Sequence, residues 1–152
     1  MTTPPETIIR PLRPADEPAW RALWTNYLTF YKTTRPAEVY ASTFARLVGD
    51  DAQDFHCLIA EQDGMPVGLV HYLFHRHCWR IENVCYLQDL FAAPAVRGTG
   101  VGRKLIQAVY DAADAAGAPT VYWLTQEDNV TGRQLYDRIG EQTDFIKYQR
   151  PA

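Results

Sequence analysis

Val96-Arg97-Gly98-Thr99-Gly100-Val101-Gly102-Arg103-Lys104 is the stretch from which the rest of the chain can be read. An apolar, strand-like run, Tyr86-Leu87-Gln88-Asp89-Leu90-Phe91-Ala92, precedes it, and an amphipathic run, Lys104-Leu105-Ile106-Gln107-Ala108-Val109-Tyr110, follows. The spacing predicts strand, glycine loop, helix. Glycines at a helix start let several backbone N–H groups approach a bulky anion, and the helix dipole adds partial positive charge there. A phosphate group suits such a seat, and Arg97, Arg103 and Lys104 bring full charges for a ligand with more than one phosphate. A dinucleotide fold would place G-x-G-x-x-G early in the chain, and a P-loop would end in Gly-Lys-Ser/Thr, so neither pattern fits.

Outward from this loop, composition sets limits. A chain of 152 residues is expected to form one domain, 1–152, with a real core and no need of disulfides. Hydrophobic content of 47% with 22% charged residues is ordinary for a soluble globular protein. Net charge of -3 and the lack of a basic stripe with interleaved aromatics argue against nucleic acid as a partner. Cys57, Cys78 and Cys85 form no C-x-x-C pair and read as reduced thiols. Met1 to Glu6 has neither the basic nor the apolar part of a leader, and no apolar run is long enough to cross a bilayer; no membrane partner and a cytoplasmic location are expected.

Taken in order, residues 7–12 read as a first strand, with Asp16 placed to cap a helix that carries Trp20, Leu23, Trp24, Tyr27, Leu28 and Tyr31 at helical spacing. Tyr27 and Tyr31 either pack in the core or line a pocket. A second helix is expected over 36–48, then strands over 55–61 and 66–74 joined by the hairpin signal Asp63-Gly64. His75, His77 and Cys78 lack a recognisable fourth ligand, so a polar loop and no metal are expected. Beyond the loop helix, Gly117 is placed as a C-cap, 120–125 reads as a strand, Asp128-Asn129 opens a last helix, and 145–148 reads as a closing strand.

The run from Leu90 to Gly102, with Pro94 and the Arg97-x-x-Gly100-x-Gly102 signature, resembles the pyrophosphate-binding motif of the GCN5-related N-acetyltransferases (GNAT). The expected order of elements resembles that family's as well, so the likeness covers nearly the whole chain. It implies an α/β (α+β) fold, the GNAT acyl-CoA N-acyltransferase fold: a mixed central sheet flanked by helices, with a splayed strand pair. Trp79, the run Tyr86 to Leu90 and the ending from Leu135 to Tyr148 are most similar to the small yeast histone/polyamine acetyltransferase-like branch, which implies a homodimer.

What the resemblance implies chemically follows residue by residue. Acetyl-CoA would be the cosubstrate, its pantetheine arm paired with the backbone of Leu90, Phe91 and Ala92. Its pyrophosphate would be held by amides of Arg97, Gly98, Thr99, Gly100, Val101, Gly102 and Arg103. The amide of Leu90 would polarise the thioester carbonyl, an effect worth about 3 kcal/mol of barrier. Asn129, seven residues before Tyr136, would touch the pantetheine, and the Tyr136 hydroxyl would protonate the departing thiolate. On residues alone, Asn129 could equally be an N-cap and Tyr136 a core ring. Gly132 stands where the family often has Ala. Asp89, Glu82 and Glu127 are candidates to take the proton of an amine nucleophile, with Asp89 foremost, although a hydrogen-bonded strand acid is an equal reading. Tyr27, Tyr31, Glu82 and Gln88 are expected at the substrate. The implied reaction is transfer of an acetyl group to a primary amine of a small molecule or peptide by direct attack in a ternary complex; the alternative is a non-catalytic acyl-CoA-binding regulatory module.

Overall fold

Among the described residues five strands and four α-helices form in the order β1 (Ile8–Pro11), α1 (Glu17–Phe30), α2 (Ala37–Val48), β2 (His56–Gln62), β3 (Met65–His75), β4 (Val84–Ala92), α3 (Val101–Ala115), β5 (Val121–Tyr122) and α4 (Val130–Ile139). This computed structural model describes residue 3 and residues 5–152; Met1, Thr2 and Pro4, part of the opening read above for a leader, lie outside the described residues. No helix among the described residues is long and apolar enough to cross a membrane.

The sheet runs β1-β2-β3-β4-β5, antiparallel throughout except for the parallel β4–β5 pair. Asp63 and Gly64, at φ 51° and 77°, make the tight turn between β2 and β3 that their sequence signals. Side-chain alternation divides the interior into two cores. On one face Trp20, Leu23 and Trp24 of α1 and Phe44 and Leu47 of α2 pack on Ile59, Leu69 and Phe91. On the other, Val101, Leu105, Ile106 and Val109 of α3 pack on Ala60, Val70, Cys85 and Leu87. Gly68 is where α3 comes nearest the sheet: a Cβ there would stand 2.9 Å from the Phe91 carbonyl oxygen and 3.2 Å from the Val101 and Leu105 side chains.

Two irregularities shape the part of the sheet that matters most. First, β4 carries a bulge: His71 pairs with Asp89 and Tyr72 with Leu87, leaving Gln88 without a partner. Before it Cys85 and Leu87 face α3; after it Leu90 and Ala92 do, while Asp89 and Phe91 face α1. Second, β4 and β5 pair only at Cys85–Val121 and Tyr86–Tyr122 and then part, so β4 from Leu87 onward has an unpaired outer edge.

Three expectations need correction. The strand read over 120–125 shrinks to Val121–Tyr122, because the chain leaves β4 there. The closing strand at 145–148 does not form: residues 141–152 carry no helix or strand, and Phe145, Ile146 and Tyr148 are exposed, since strand-forming side chains still need a neighbouring edge. Asp16 stands at the start of α1 but does not cap it; its carboxylate takes two bonds from the buried Arg10 guanidinium and one from the Arg13 amide. Glu61 holds the other side of Arg10 at 2.9 Å.

Candidate active site

The gap between β4 and β5 is bounded on one side by the start of α3. Gly98 and Gly100 turn the chain at φ 80° and 88°, a region that disfavours any side chain, and Gly100 is the N-cap of α3. No side chain caps this helix: the Thr99 hydroxyl turns away to the Val96 carbonyl, and the first internal bond runs from the Lys104 amide to Gly100. The amides of the first turn are therefore left for an anion, with Arg103 and Lys104 exposed beside them. Arg97 folds back, its Nε donating to the Ala92 carbonyl at 3.1 Å and its guanidinium lying over the Phe91 ring.

The bulge decides what β4 offers to the gap. The Ala93 amide bonds to Val67 of β3, so by the alternation of an antiparallel ladder Phe91 and Asp89 also bond toward β3, and the peptide groups of Leu90 and Ala92 face outward. Upstream the parity is opposite: the Cys85 amide already points outward, to Thr120. Paired at this length without a bulge, the strand would spend the Leu90 amide inside the sheet. As it stands, the outer edge presents N–H and C=O groups to any extended polar chain laid along it.

At the inner end lies a cavity of about 20 Å³, room for one water-sized group, lined by Tyr27 and Tyr31 of α1, Gln88 and Leu90 of β4, and Tyr136 of α4. A cleft of about 380 Å³ lined by Phe30, Tyr31, Lys32, Gln126, Glu127 and Asp128 adjoins it through Tyr31. Tyr27 and Tyr31 stack obliquely, with centroids 5.1 Å apart; both line the cavity, and Tyr27 packs against the α1-side core as well. Trp123 packs edgewise on the Tyr136 ring at 5.6 Å. Burial, then the neighbouring Tyr31, pushes the Tyr136 hydroxyl up to about 12, so it carries its proton at neutral pH.

Asp89 lies behind the cavity rather than on its wall. Its Oδ2 meets His71 Nδ1 at 2.8 Å and the Trp24 indole at 3.3 Å. Burial pushes this carboxyl up, but the donors, His71 foremost, outweigh it and hold the group below the ordinary carboxylate range. Burial, then the charge of Asp89, pushes the Tyr27 phenol up. Neither His71 nor Trp20 behind it was singled out by the sequence as a site residue; a histidine inside an apolar strand facing a tryptophan-bearing helix was the available signal.

Asn129 caps α4, accepting from the Gly132 amide at 3.3 Å and donating to Thr125 Oγ1 at 2.9 Å. A Cβ at Gly132 would stand 2.4 Å from Asn129 Nδ2, so glycine gives this side chain the room to fold over the helix start. Glu82 is not brought to the cavity; it sits before β4, paired with Arg80 at 3.7 Å. Glu127 lines the outer cleft. Cys57 and Cys85 are buried, and burial pushes the Cys85 thiol up to about 11.

Comparisons with known proteins agree with this geometry. A sequence profile of the Acetyltransferase (GNAT) family matches residues 18–140. The chain is 39% identical to the D-amino-acid N-acetyltransferase HPA3 of Saccharomyces cerevisiae over 144 residues, covering 94% of this chain and 89% of that protein. It is 30% identical to the uncharacterized N-acetyltransferase YhfO of Bacillus subtilis over 145 residues, covering 92% and 94% of the two. Among solved structures, the aminoglycoside N-acetyltransferase AAC(6')-Iy in complex with CoA superposes with a TM-score of 0.84 at 19% identity, covering 99% of this chain and 98% of that one. The chain therefore belongs to the acetyltransferase (GNAT) family, enzymes that transfer an acetyl group from acetyl-CoA to an amine.

Proposed function

We propose that the acceptor is a primary amine of a small molecule, with the amino group of an amino acid as the first class to test, attacking directly while both substrates are bound. The observation that carries this reading is the unpaired outer edge of β4 running from the open start of α3 to a cavity shared by Leu90, Tyr136 and Tyr27. The residues fit coenzyme A: uncapped amides between positive-φ glycines suit a diphosphate, and free peptide groups suit an amide-bearing arm. Acetyl-CoA supplies the acyl group as a thioester. In this reading the Leu90 amide donates to the carbonyl oxygen as charge gathers on it, and Tyr136 gives its proton to the leaving sulfur. Arg97 steadies the end of β4, and Asn129 the start of α4. Gln88, Tyr27 and Tyr31 meet the amine, with the Asp89 charge behind them. The likeness to a D-amino-acid N-acetyltransferase supports an amino-acid acceptor, and Lys32 at the outer cleft offers a cation for a carboxylate. Cys57 and Cys85 are buried and Cys78 lines neither the cavity nor the cleft, which favours direct attack over an acyl-cysteine.

Thiol release from acetyl-CoA with D-amino acids, polyamines, lysine analogues, aminoglycosides and a histone-tail peptide tests the reading; no turnover with any amine refutes it. In this assay Tyr136→Phe lowers turnover by at least about tenfold while coenzyme A still binds. Full activity in that variant would remove Tyr136 from its role. We further propose a homodimer, supported by the exposed Phe145, Ile146 and Tyr148 on an unpaired tail and by β5 as the sheet's edge. Sedimentation equilibrium of the full chain and of a chain ending at 140 separates a tail-built dimer from a monomer.

A further inference from the structure

A line of buried polar side chains lies under the cavity. Trp20 Nε1 donates to His71 Nε2 at 2.9 Å, and His71 Nδ1 faces Asp89 Oδ2 at 2.8 Å. An indole nitrogen only donates, so it requires a lone pair on Nε2, and the imidazole proton is thereby assigned to Nδ1, where it is given to Asp89. A second ring proton would set two donors face to face, with Trp20 0% and His71 4% exposed and no solvent to relieve them. Asp89 thus keeps a fixed donor from β3 and takes another from Trp24 of α1. Tyr27, on the cavity wall with the Asp89 charge behind it, can turn its proton to that carboxylate and its lone pairs to the cavity.

We infer that Tyr27 relays the acceptor amine's proton to Asp89, and that His71, locked in one tautomer by Trp20, is the positioning residue that holds the Asp89 carboxylate turned toward Tyr27. This step rests on the amine acetyl transfer proposed above. As the N–C bond forms and the C–S bond breaks, the proton leaving nitrogen passes to Tyr27 Oη and the proton of Tyr27 to Asp89. The electron pair that departs with sulfur takes the proton of Tyr136, and both side chains exchange with solvent after the products leave. The titratable groups that face Asp89 are His71 from β3, Tyr27 and Tyr31 from α1, Tyr86 from β4 and Cys57 from β2.

The test compares His71→Asn, whose amide nitrogen can stand near the Nδ1 position and donate to Asp89, with His71→Gln, whose amide reaches toward Trp20 instead. The readouts are the pH dependence of kcat and kcat/KM, with D-leucine or whichever panel amine the wild type acetylates, together with coenzyme A binding by calorimetry. In His71→Gln, Asp89 loses its main donor but stays buried, so its pKa rises. The expected result is a fall in kcat on the order of 10²-fold, an acid limb moved to higher pH, and coenzyme A affinity within about twofold of wild type. His71→Asn is expected to recover at least about tenfold of that loss and to move the limb back. Tyr27→Phe is expected to lose kcat with coenzyme A affinity kept. Equal losses in the Asn and Gln variants with an unmoved acid limb, or a Tyr27→Phe variant with wild-type kcat, would overturn the relay. Wild-type failure with every amine would instead overturn the function on which it rests.

Discussion

Gly68→Ala tests whether the sheet and the anion seat are one mechanical unit. A methyl group there meets three atoms: the Phe91 carbonyl oxygen at 2.9 Å and the Val101 and Leu105 side chains at 3.2 Å. The side chains can give a few tenths of an ångström, but the carbonyl belongs to the β3–β4 ladder and can move only with its strand. Overpacking of this kind costs about 1–3 kcal/mol, and the reduced freedom of the unfolded chain returns about 0.4–1 kcal/mol. A net loss of about 1–2 kcal/mol corresponds to roughly 2–8 °C in Tm for a chain of this size. Because Val101 is the first residue of α3, the same displacement lifts the amides that face the gap. A loss of about 1 kcal/mol in their bonds to a diphosphate weakens coenzyme A binding by about fivefold. Calorimetric scanning and titration with coenzyme A measure both quantities on one preparation. A Tm within about 1 °C of wild type together with unchanged affinity would refute the reasoning, since an unyielding contact would then have yielded at no cost.

Two further outcomes follow from burial and charge. The Arg10 bond holds the Asp16 carboxyl below the ordinary range against the opposing effect of burial. The stability it contributes is therefore present above its unfolded pKa and is lost as pH falls through the lowered folded value; Asp16→Asn should cost about 3 kcal/mol at pH 7 and flatten the acid side of a urea-measured stability curve. An equally steep acid limb in the variant would assign that limb to other groups. Among the three cysteines, Cys78 is exposed whereas Cys57 and Cys85 are buried with thiols pushed up by burial. One thiol per native chain should react rapidly with a disulfide reagent at pH 8 and all three after denaturation; rapid native reaction of a second would contradict the packing around β2 and β4.

The sequence made legible those features that local spacing dictates. Gly98 and Gly100 take the left-handed conformations that a glycine turn before a helix requires, Asp63-Gly64 makes its hairpin, and Asn129 opens α4. The bonds that join distant strands and helices were not legible. Nothing near Gln88 marks it as an extra residue, because a bulge is defined by the partner strand. Asp16 satisfied every local criterion for a helix cap, yet the buried Arg10, which a cap-forming argument does not consider, claimed its carboxylate. The same holds for Phe145 to Tyr148, whose strand-like composition could not supply an edge to pair with. His71 gained its meaning only when Trp20, 51 positions away, proved to be its partner.

The extra residue in β4 also determines which kinds of change this enzyme can absorb. Exchanging Gln88 for another residue alters one contact in the cavity wall, whereas pairing every residue of β4 at its present length, with no bulge, would exchange the two faces of everything downstream. Asp89 would turn toward α3, Phe91 would leave the core beneath α1, and the Leu90 peptide would rotate into the ladder. The strand thus depends on where its unpaired residue sits rather than on which residue it is, and a comparison of relatives that misplaces it along this segment would misassign every group that meets the acyl donor.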